Sequence, residues 1–277
     1  MRFHPGRSFL ALVSALTITS ACSSGPTLTY ELHHELGVHF EAAGTEGAFV
    51  AKRIGTDDIP IVYNAVRARE PLPPAETFRP LATLVLLETE TVGSLDEPLT
   101  WSGEGAYVQD WHRTHSLRTA LTDDAEWVYQ QTADEMGRDP YEVWINRLGY
   151  GNTNVRGGQG SFWMDGTLLI DMFQQTEFMA LLASESQPFD RSAVRDIRNE
   201  LATIAGDGWT MTYQEGRVPG SGTEDRVGWL VGIVEVGDVE WAIAMNMDVD
   251  WDRTIDPDAR VNLTTTLLEA VGITSNG

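Results

Sequence analysis

The chain predicts an α+β fold in which the two ends of the sequence complete one antiparallel sheet. Three observations carry this. Strand patterning is confined to an early segment, residues 38–63, and a late one, residues 209–247. Helical periodicity fills most of the chain between them. No internal repeat or low-complexity tract interrupts either pattern.

The early segment is mildly helical over Leu28–Leu36, and the first strand is expected at Val38–Phe40. Strands follow at Gly47–Arg53 and Ile59–Tyr63, separated by the turn-forming Gly55-Thr56-Asp57-Asp58. Pro71 and Pro74 break the chain, and Glu76–Glu88 then shows apolar residues at helical spacing, Phe78, Leu81, Leu84 and Val85. Leu117–Met136 holds further helix. Asp139-Pro140 fits an N-cap and first helical residue for a helix to about Leu148. A glycine-rich loop spans Gly149–Gly160, and helices are expected at Phe173–Ala183 and Asp190–Ile204. The period then changes to that of strands at Trp209–Tyr213, Val227–Val236 and Val239–Met247, the last two joined by a Gly237-Asp238 turn. A closing helix is expected over Asp258–Val271.

A chain of 277 residues suits one large or two small domains. With 41 acidic against 19 basic residues the formal net charge is −22. That excludes nucleic acid as a partner, which needs clustered Lys and Arg, and disfavours an anionic lipid surface. Solvation in a salty habitat is enough to account for such a balance. Lys52 is the only lysine.

Residues 1–22 read as an export signal: Arg2 and Arg7 supply positive charge and Phe9–Ile18 is a short apolar run. The run is too short to remain as a membrane span. Ala21 before the only cysteine, Cys22, resembles a bacterial lipobox, although Thr19 stands where Leu is usual. Lipidation of Cys22 is the expectation, with an ordinary cleaved secretory signal as the alternative. Residues 23–28 would then be a short tether and 29–277 the folded domain, exported and anchored facing the periplasm or cell exterior. With no other cysteine, neither an intramolecular disulfide nor thiol catalysis is available.

The most specific residues lie between Trp111 and Gly166. They are Trp111-x-Arg113-x-His115-x-Leu117-x-Thr119-Ala120, Trp127-x-Tyr129-Gln130, Tyr150-Gly151-Asn152 and Phe162-Trp163-x-x-Gly166, with Gly228-Trp229-x-Val231-Gly232 further on. In this order they resemble the class D β-lactamases (oxacillinases) and the related penicillin-binding transpeptidase-like proteins. The resemblance covers most of the chain beyond the signal. It implies a serine β-lactamase fold and, in an intact member, acyl transfer by three motifs.

Those three motifs are absent. The family's helix begins Ser-x-x-Lys after Pro-Ala, with Ser as nucleophile and a Lys carboxylated on its amine as general base. Here Pro74-Ala75 is followed by Glu76-Thr77-Phe78-Arg79. The Ser-x-Val position holds Asp124-Ala125-Glu126, and the Lys-Thr-Gly position holds Gln214-Glu215-Gly216. Acyl transfer needs a base that can lose its proton. A guanidinium cannot, and Lys52 lies on an expected strand outside every motif. Trp163, which in the family hydrogen-bonds the carbamate, is left without that partner. The five positions Glu76, Arg79, Asp124, Gln214 and Glu215 carry a net of two negative charges, where the family's lysines give two positive ones. A β-lactam's carboxylate would be repelled. The resemblance places Arg260 at the family's carboxylate-binding arginine.

Bland roles compete with each of these. Glu76 in a first helical turn favours the macrodipole and can pair with Arg79 at i,i+3. An Arg79 bridge from Glu76 to Asp124 would close the cleft. Convergence of Glu76, Asp124, Glu126 and Glu215 on a cationic group or metal is the sharper alternative. A carboxylate nucleophile at Glu76 would form a mixed anhydride with nothing in view to resolve it. Asp248-x-Asp250-x-Asp252 begins like a calcium loop, but Arg253 and Ala259 occupy its glycine and glutamate positions. His33, His34 and His39, and His112 with His115, have only loose ligand spacing. No cofactor or metal is expected. The chain thus reads as an envelope lipoprotein that keeps the fold without the chemistry, binding a peptidoglycan fragment or a protein. A hydrolase acting on β-lactams or peptidoglycan peptides with replaced residues is the alternative.

Overall fold

The computed structural model describes residues 29–103, 108–218, 226–249 and 258–274. The early chain supplies β1 (Glu31–Leu32), α1 (Gly37–Ala42), β2 (Gly47–Arg53), β3 (Ile61–Tyr63) and α2 (Ala65–Ala68). A 3-10 turn at Ala75–Phe78 then runs straight into α3 (Arg79–Glu88). The helical middle holds α4 (Leu117–Thr122), α5 (Glu126–Met136), α6 (Arg138–Leu148), α7 (Met172–Ala183) and α8 (Arg191–Glu200). Four strands follow, β4 (Ala202–Gly206), β5 (Trp209–Val218), β6 (Arg226–Val236) and β7 (Val239–Val249), and α9 (Ala259–Ala270) closes the chain.

The strands form one seven-stranded sheet in the order β1-β3-β2-β7-β6-β5-β4, so both ends of the sequence meet where β2 pairs with β7. The expected α+β architecture is present. Every pairing is antiparallel except β1 with β3, which is parallel, so the sheet is mixed at that edge. The period of two sorts residues between two cores. On β2, Ala48 and Val50 face the helical middle, while Phe49 and Ala51 face α1 and α9. Helix α7 is apolar around most of its surface because it lies between the sheet and the other helices, burying Phe173, Phe178, Met179 and Leu182.

Local chemistry sets the helix starts. Ser116 accepts from the Thr119 N–H and Asp171 from the Gln174 N–H, each with a reciprocal side-chain bond completing a capping box. Asp190 accepts from the N–H groups of Ser192 and Ala193 to start α8.

Several expected boundaries are corrected. Val38–Phe40 belongs to α1, where Phe40 is buried one helical turn after Leu36, the buried residue that caps the helix, and Val38 is exposed. The first strand is Glu31–Leu32, inside the segment expected to be helical. The Leu117–Met136 helix is divided at Asp123–Ala125, where Asp124 adopts a left-handed φ of 57°. Helix α6 starts at Arg138 after Gly137, so Asp139 lies in its first turn and is not its cap. Helix α8 stops at Glu200, and residues 202–204, expected to finish it, belong instead to β4, which pairs with β5. The early strand is shorter than Ile59–Tyr63, beginning at Ile61.

Candidate functional site

The site is built where the 3-10 turn at Ala75–Phe78 abuts β5 and faces the Asp123–Ala125 break. Its floor is aromatic. Phe78 stacks on Trp163 with ring centroids 5.4 Å apart and meets Phe162 edge-on at 5.4 Å. Tyr141 and Tyr150 pack around the same ring. Burial pushes the Tyr129, Tyr141 and Tyr150 phenols well up from their ordinary range, so none of them supplies a phenolate base.

Arg79, 2% exposed, enters this floor from the first turn of α3. It donates from Nη1 to the Asp124 carboxylate, and from Nη2 to Glu126 Oε2 at 3.0 Å and to the Asp124 carbonyl at 3.3 Å. Its plane also lies over the Tyr129 ring at 5.8 Å. Burial acts to lower the guanidinium pKa, but Glu126, Asp124 and Glu76 outweigh it and hold the group above its ordinary value. Arg79 therefore stays protonated and cannot accept a proton from a nucleophile.

Glu126, at the first position of α5, is the residue whose role the sequence does not disclose. Its second oxygen accepts from Trp163 Nε1 at 3.1 Å, so Trp163 keeps an acidic partner, contrary to expectation. Burial, its largest influence, lifts the Glu126 carboxyl above its ordinary value; Arg79 and the Trp163 N–H pull against it. At the position that the resemblance assigns to Ser-x-Val, Glu126 thus places a buried carboxylate in the core. Lys52, the sole lysine, lies on β2 away from this network with its Nζ 2.5 Å from Glu177.

Glu76 does not pair with Arg79. Its Oε2 instead accepts from the backbone N–H of Arg217 at 2.6 Å. That N–H, at the end of a strand facing a helix start, is the kind of fixed donor that stabilises a developing oxyanion, and here a carboxylate already holds it. The closing bridge of Arg79 consequently runs from Asp124 to Glu126 and leaves Glu76 out.

The strand side of the site is equally occupied. Arg260 Nε donates to Glu215 Oε1 at 2.5 Å and its Nη1 to the Gly216 carbonyl at 3.2 Å. At the position that the resemblance assigns to carboxylate recognition, an internal carboxylate is bound. Gln214 is buried and donates to the Glu215 carbonyl at 3.0 Å. Gly216 permits the close approach of β5: a Cβ there would lie 3.2 Å from the Thr77 nitrogen and 3.3 Å from the Glu76 nitrogen.

The structure brings Glu76, Arg79, Asp124, Gln214, Glu215, Gly216, Trp163 and Arg260 to one region. It does not bring the carboxylates to one cation, because Arg79 takes Asp124 and Glu126, the Arg217 N–H takes Glu76 and Arg260 takes Glu215. Among the described residues no group of three potential ligands is placed to hold a metal. His115 is buried against Trp127 with Nδ1 3.2 Å from Thr119 Oγ1, and His33 bonds Glu35 at 2.7 Å. Asp248 pairs with Arg67 at 2.6 Å, while Asp250 and Asp252 lie outside the described residues, as do Cys22 and the whole signal and tether. Among the described residues no helix is long and apolar enough to cross a membrane.

Comparison with known proteins agrees with this fold. The penicillin-binding protein transpeptidase domain matches residues 54–254, well over half of the chain. The probable β-lactamase YbxI of Bacillus subtilis is 28% identical over 214 residues, covering 77% of this chain and 79% of that protein. β-Lactamase OXA-5 of Pseudomonas aeruginosa is 29% identical over 240 residues, covering 86% and 88%. The crystal structure of a class D β-lactamase, YbXI from Nostoc, superposes with a TM-score of 0.78 at 26% identity, covering 86% of this chain and 98% of that one. The chain belongs to the penicillin-binding protein transpeptidase family and carries the class D β-lactamase fold.

Proposed function

We propose that this protein is a catalytically inactive member of its family. In this reading it is an exported lipoprotein, anchored through Cys22, that uses the old cleft or its rim to bind a cell-envelope component, a peptidoglycan fragment or another protein. One observation carries the loss of activity: the base position holds a guanidinium buried between Asp124 and Glu126. The guanidinium cannot take a proton from a nucleophile, the two carboxylates beside it are engaged in holding it, and the nucleophile position holds a carboxylate engaged with the Arg217 N–H. A ligand carboxylate would also have to displace Glu215 from Arg260. The names of the relatives, β-lactamases, favour the alternative, a class D-type hydrolase working on β-lactams or peptidoglycan peptides with other residues.

Intact-mass measurement after incubation with a penicillin, beside turnover of a chromogenic cephalosporin, separates the two. The expected result is no adduct and no turnover. A stable acyl adduct, or turnover abolished by Glu76→Ala, would overturn the inactive reading. Glu76→Ser combined with Arg79→Lys is expected to stay inert, because Asp124, Glu126, Gln214 and Glu215 still occupy the other motifs.

A further inference from the structure

The Arg79–Asp124 and Arg260–Glu215 pairs both turn their cation inward. The Arg79 side chain is 2% exposed against 65% for Asp124, and that of Arg260 is 9% exposed against 27% for Glu215. Three elements build the second pair. Arg260, in the first turn of α9, crosses β6 at Gly228, which leaves room for it: a Cβ there would lie 3.0 Å from Arg260 Cδ and 3.3 Å from its Nη1. The guanidinium then meets β5 at the Glu215 carboxylate, 2.5 Å from Nε, and at the Gly216 carbonyl, 3.2 Å from Nη1. An anion site is thus assembled and filled from within.

A ligand at this site meets Glu215 before it meets Arg260. Among the described residues Glu215 Oε1 takes the Arg260 bond and Oε2 takes no hydrogen bond. An arriving carboxylate has two courses. It can displace Glu215, a charge-assisted partner held in place at an effective concentration of about 1 mM or more. Otherwise it lies against a like charge. A carboxamide meets neither obstacle, because its N–H groups donate to Oε2, and an ionised carboxylate only accepts. An ammonium suits the site less well: Arg260 already neutralises Glu215 and would repel a second cation. Glu76 repeats the arrangement on the same strand, where its carboxylate holds the Arg217 N–H at 2.6 Å and keeps that donor from a ligand carboxylate too.

We infer that Glu215 is the specificity-determining residue of the cleft: by seating itself on Arg260 it bars ligands that end in a free carboxylate and favours a peptide whose carboxyl end is amidated. The selection works by a repulsive element built into the site, with Arg260 intact behind it. The inference rests on the reading of the cleft as an inactive binding site, and it names the class of peptide that such a site takes.

The test uses the whole exported chain and two N-acetylated peptides of sequence Ala-Gln-Lys-Ala-Ala, one ending in a carboxylate and one in a carboxamide. Isothermal titration calorimetry is expected to show the unaltered chain binding the carboxamide at least tenfold tighter than the carboxylate, a reading that needs no variant. Glu215→Gln removes the internal charge and should strengthen binding of the carboxylate peptide by at least tenfold. Adding Arg260→Gln to that variant should abolish the gain, which shows that it runs through the guanidinium. Equal affinity of the unaltered chain for the two peptides, no binding of the carboxamide, no gain in Glu215→Gln, or a gain that survives Arg260→Gln would each overturn the inference. Failure of the inactive reading is seen separately, as an acyl adduct or turnover, and neither of those depends on which peptide end binds better.

Discussion

Replacing Glu126 by alanine removes the buried acceptor that Arg79 and Trp163 share. The Arg79 and Glu126 side chains are 2% and 4% exposed, so the guanidinium left behind is uncompensated and out of water. Taking one partner from a buried pair costs about 3–5 kcal/mol. Asp124 cannot make up the loss. Its side chain is 65% exposed, and partners so exposed contribute about 0–1 kcal/mol. The orphaned Trp163 N–H adds to the cost unless water enters the space vacated. The assay is urea unfolding followed by tryptophan fluorescence. At a slope of about 3 kcal/mol per molar, the midpoint should fall by about 1 M or more. Asp124→Asn should shift it far less. Arg79→Met together with Glu126→Leu removes both charges and should recover most of the loss. A Glu126→Ala midpoint near that of the parent, or an equal penalty for Asp124→Asn, would refute the assignment of this pair as the site's central interaction.

Further outcomes follow from the same geometry. Gly216→Ala should cost about 1–3 kcal/mol, because its Cβ would press on the backbone nitrogens of Glu76 and Thr77; a parental urea midpoint would contradict the close approach. Asp171→Ala should cost about 1 kcal/mol through loss of the α7 capping box, read as a thermal midpoint, and Asp171→Asn should keep most of it. Burial, and then Arg113, holds the His115 imidazole below its ordinary 6.5, so the folded chain keeps it neutral while the unfolded chain protonates it. Its contribution is present above about pH 6.5 and is lost as pH falls from there toward the folded value, with a slope of at most about 1.4 kcal/mol per pH unit. His115→Gln should flatten the stability profile between pH 6.5 and 5.5; an unchanged slope would mean that His115 is not buried neutral.

Most of the sheet was legible because its strands alternate and its turns carry specific chemistry. Gly47–Arg53 and the β6–β7 hairpin around Gly237-Asp238 lie where the pattern puts them. The errors have physical causes. The Leu36–Phe40 spacing is helical, but the valine and phenylalanine between His34 and Glu41 also look β-forming in isolation. β4 was hidden by its small residues, which fit a helix end as readily as a strand. The Asp207-Gly208 pair just after it was the available signal for a hairpin. In the site, the replaced residues were legible by type and position, while their partners were not. That Glu126 turns toward Trp163 and Arg79, and Glu76 toward the Arg217 N–H, depends on the break at Asp124 and on how closely β5 approaches the 3-10 turn. Neither is a local property of the sequence.

The Glu126–Trp163 bond changes what the core depends on. A carbamate is a reversible adduct of an amine and carbon dioxide, so a core acceptor of that kind is only as permanent as the supply of dissolved gas. In this chain the acceptor is encoded in the polypeptide and arrives with it at synthesis. The packing of Phe78, Phe162 and Trp163 is therefore complete without any small molecule from solution. Its unfolding midpoint should be the same in degassed buffer as in bicarbonate.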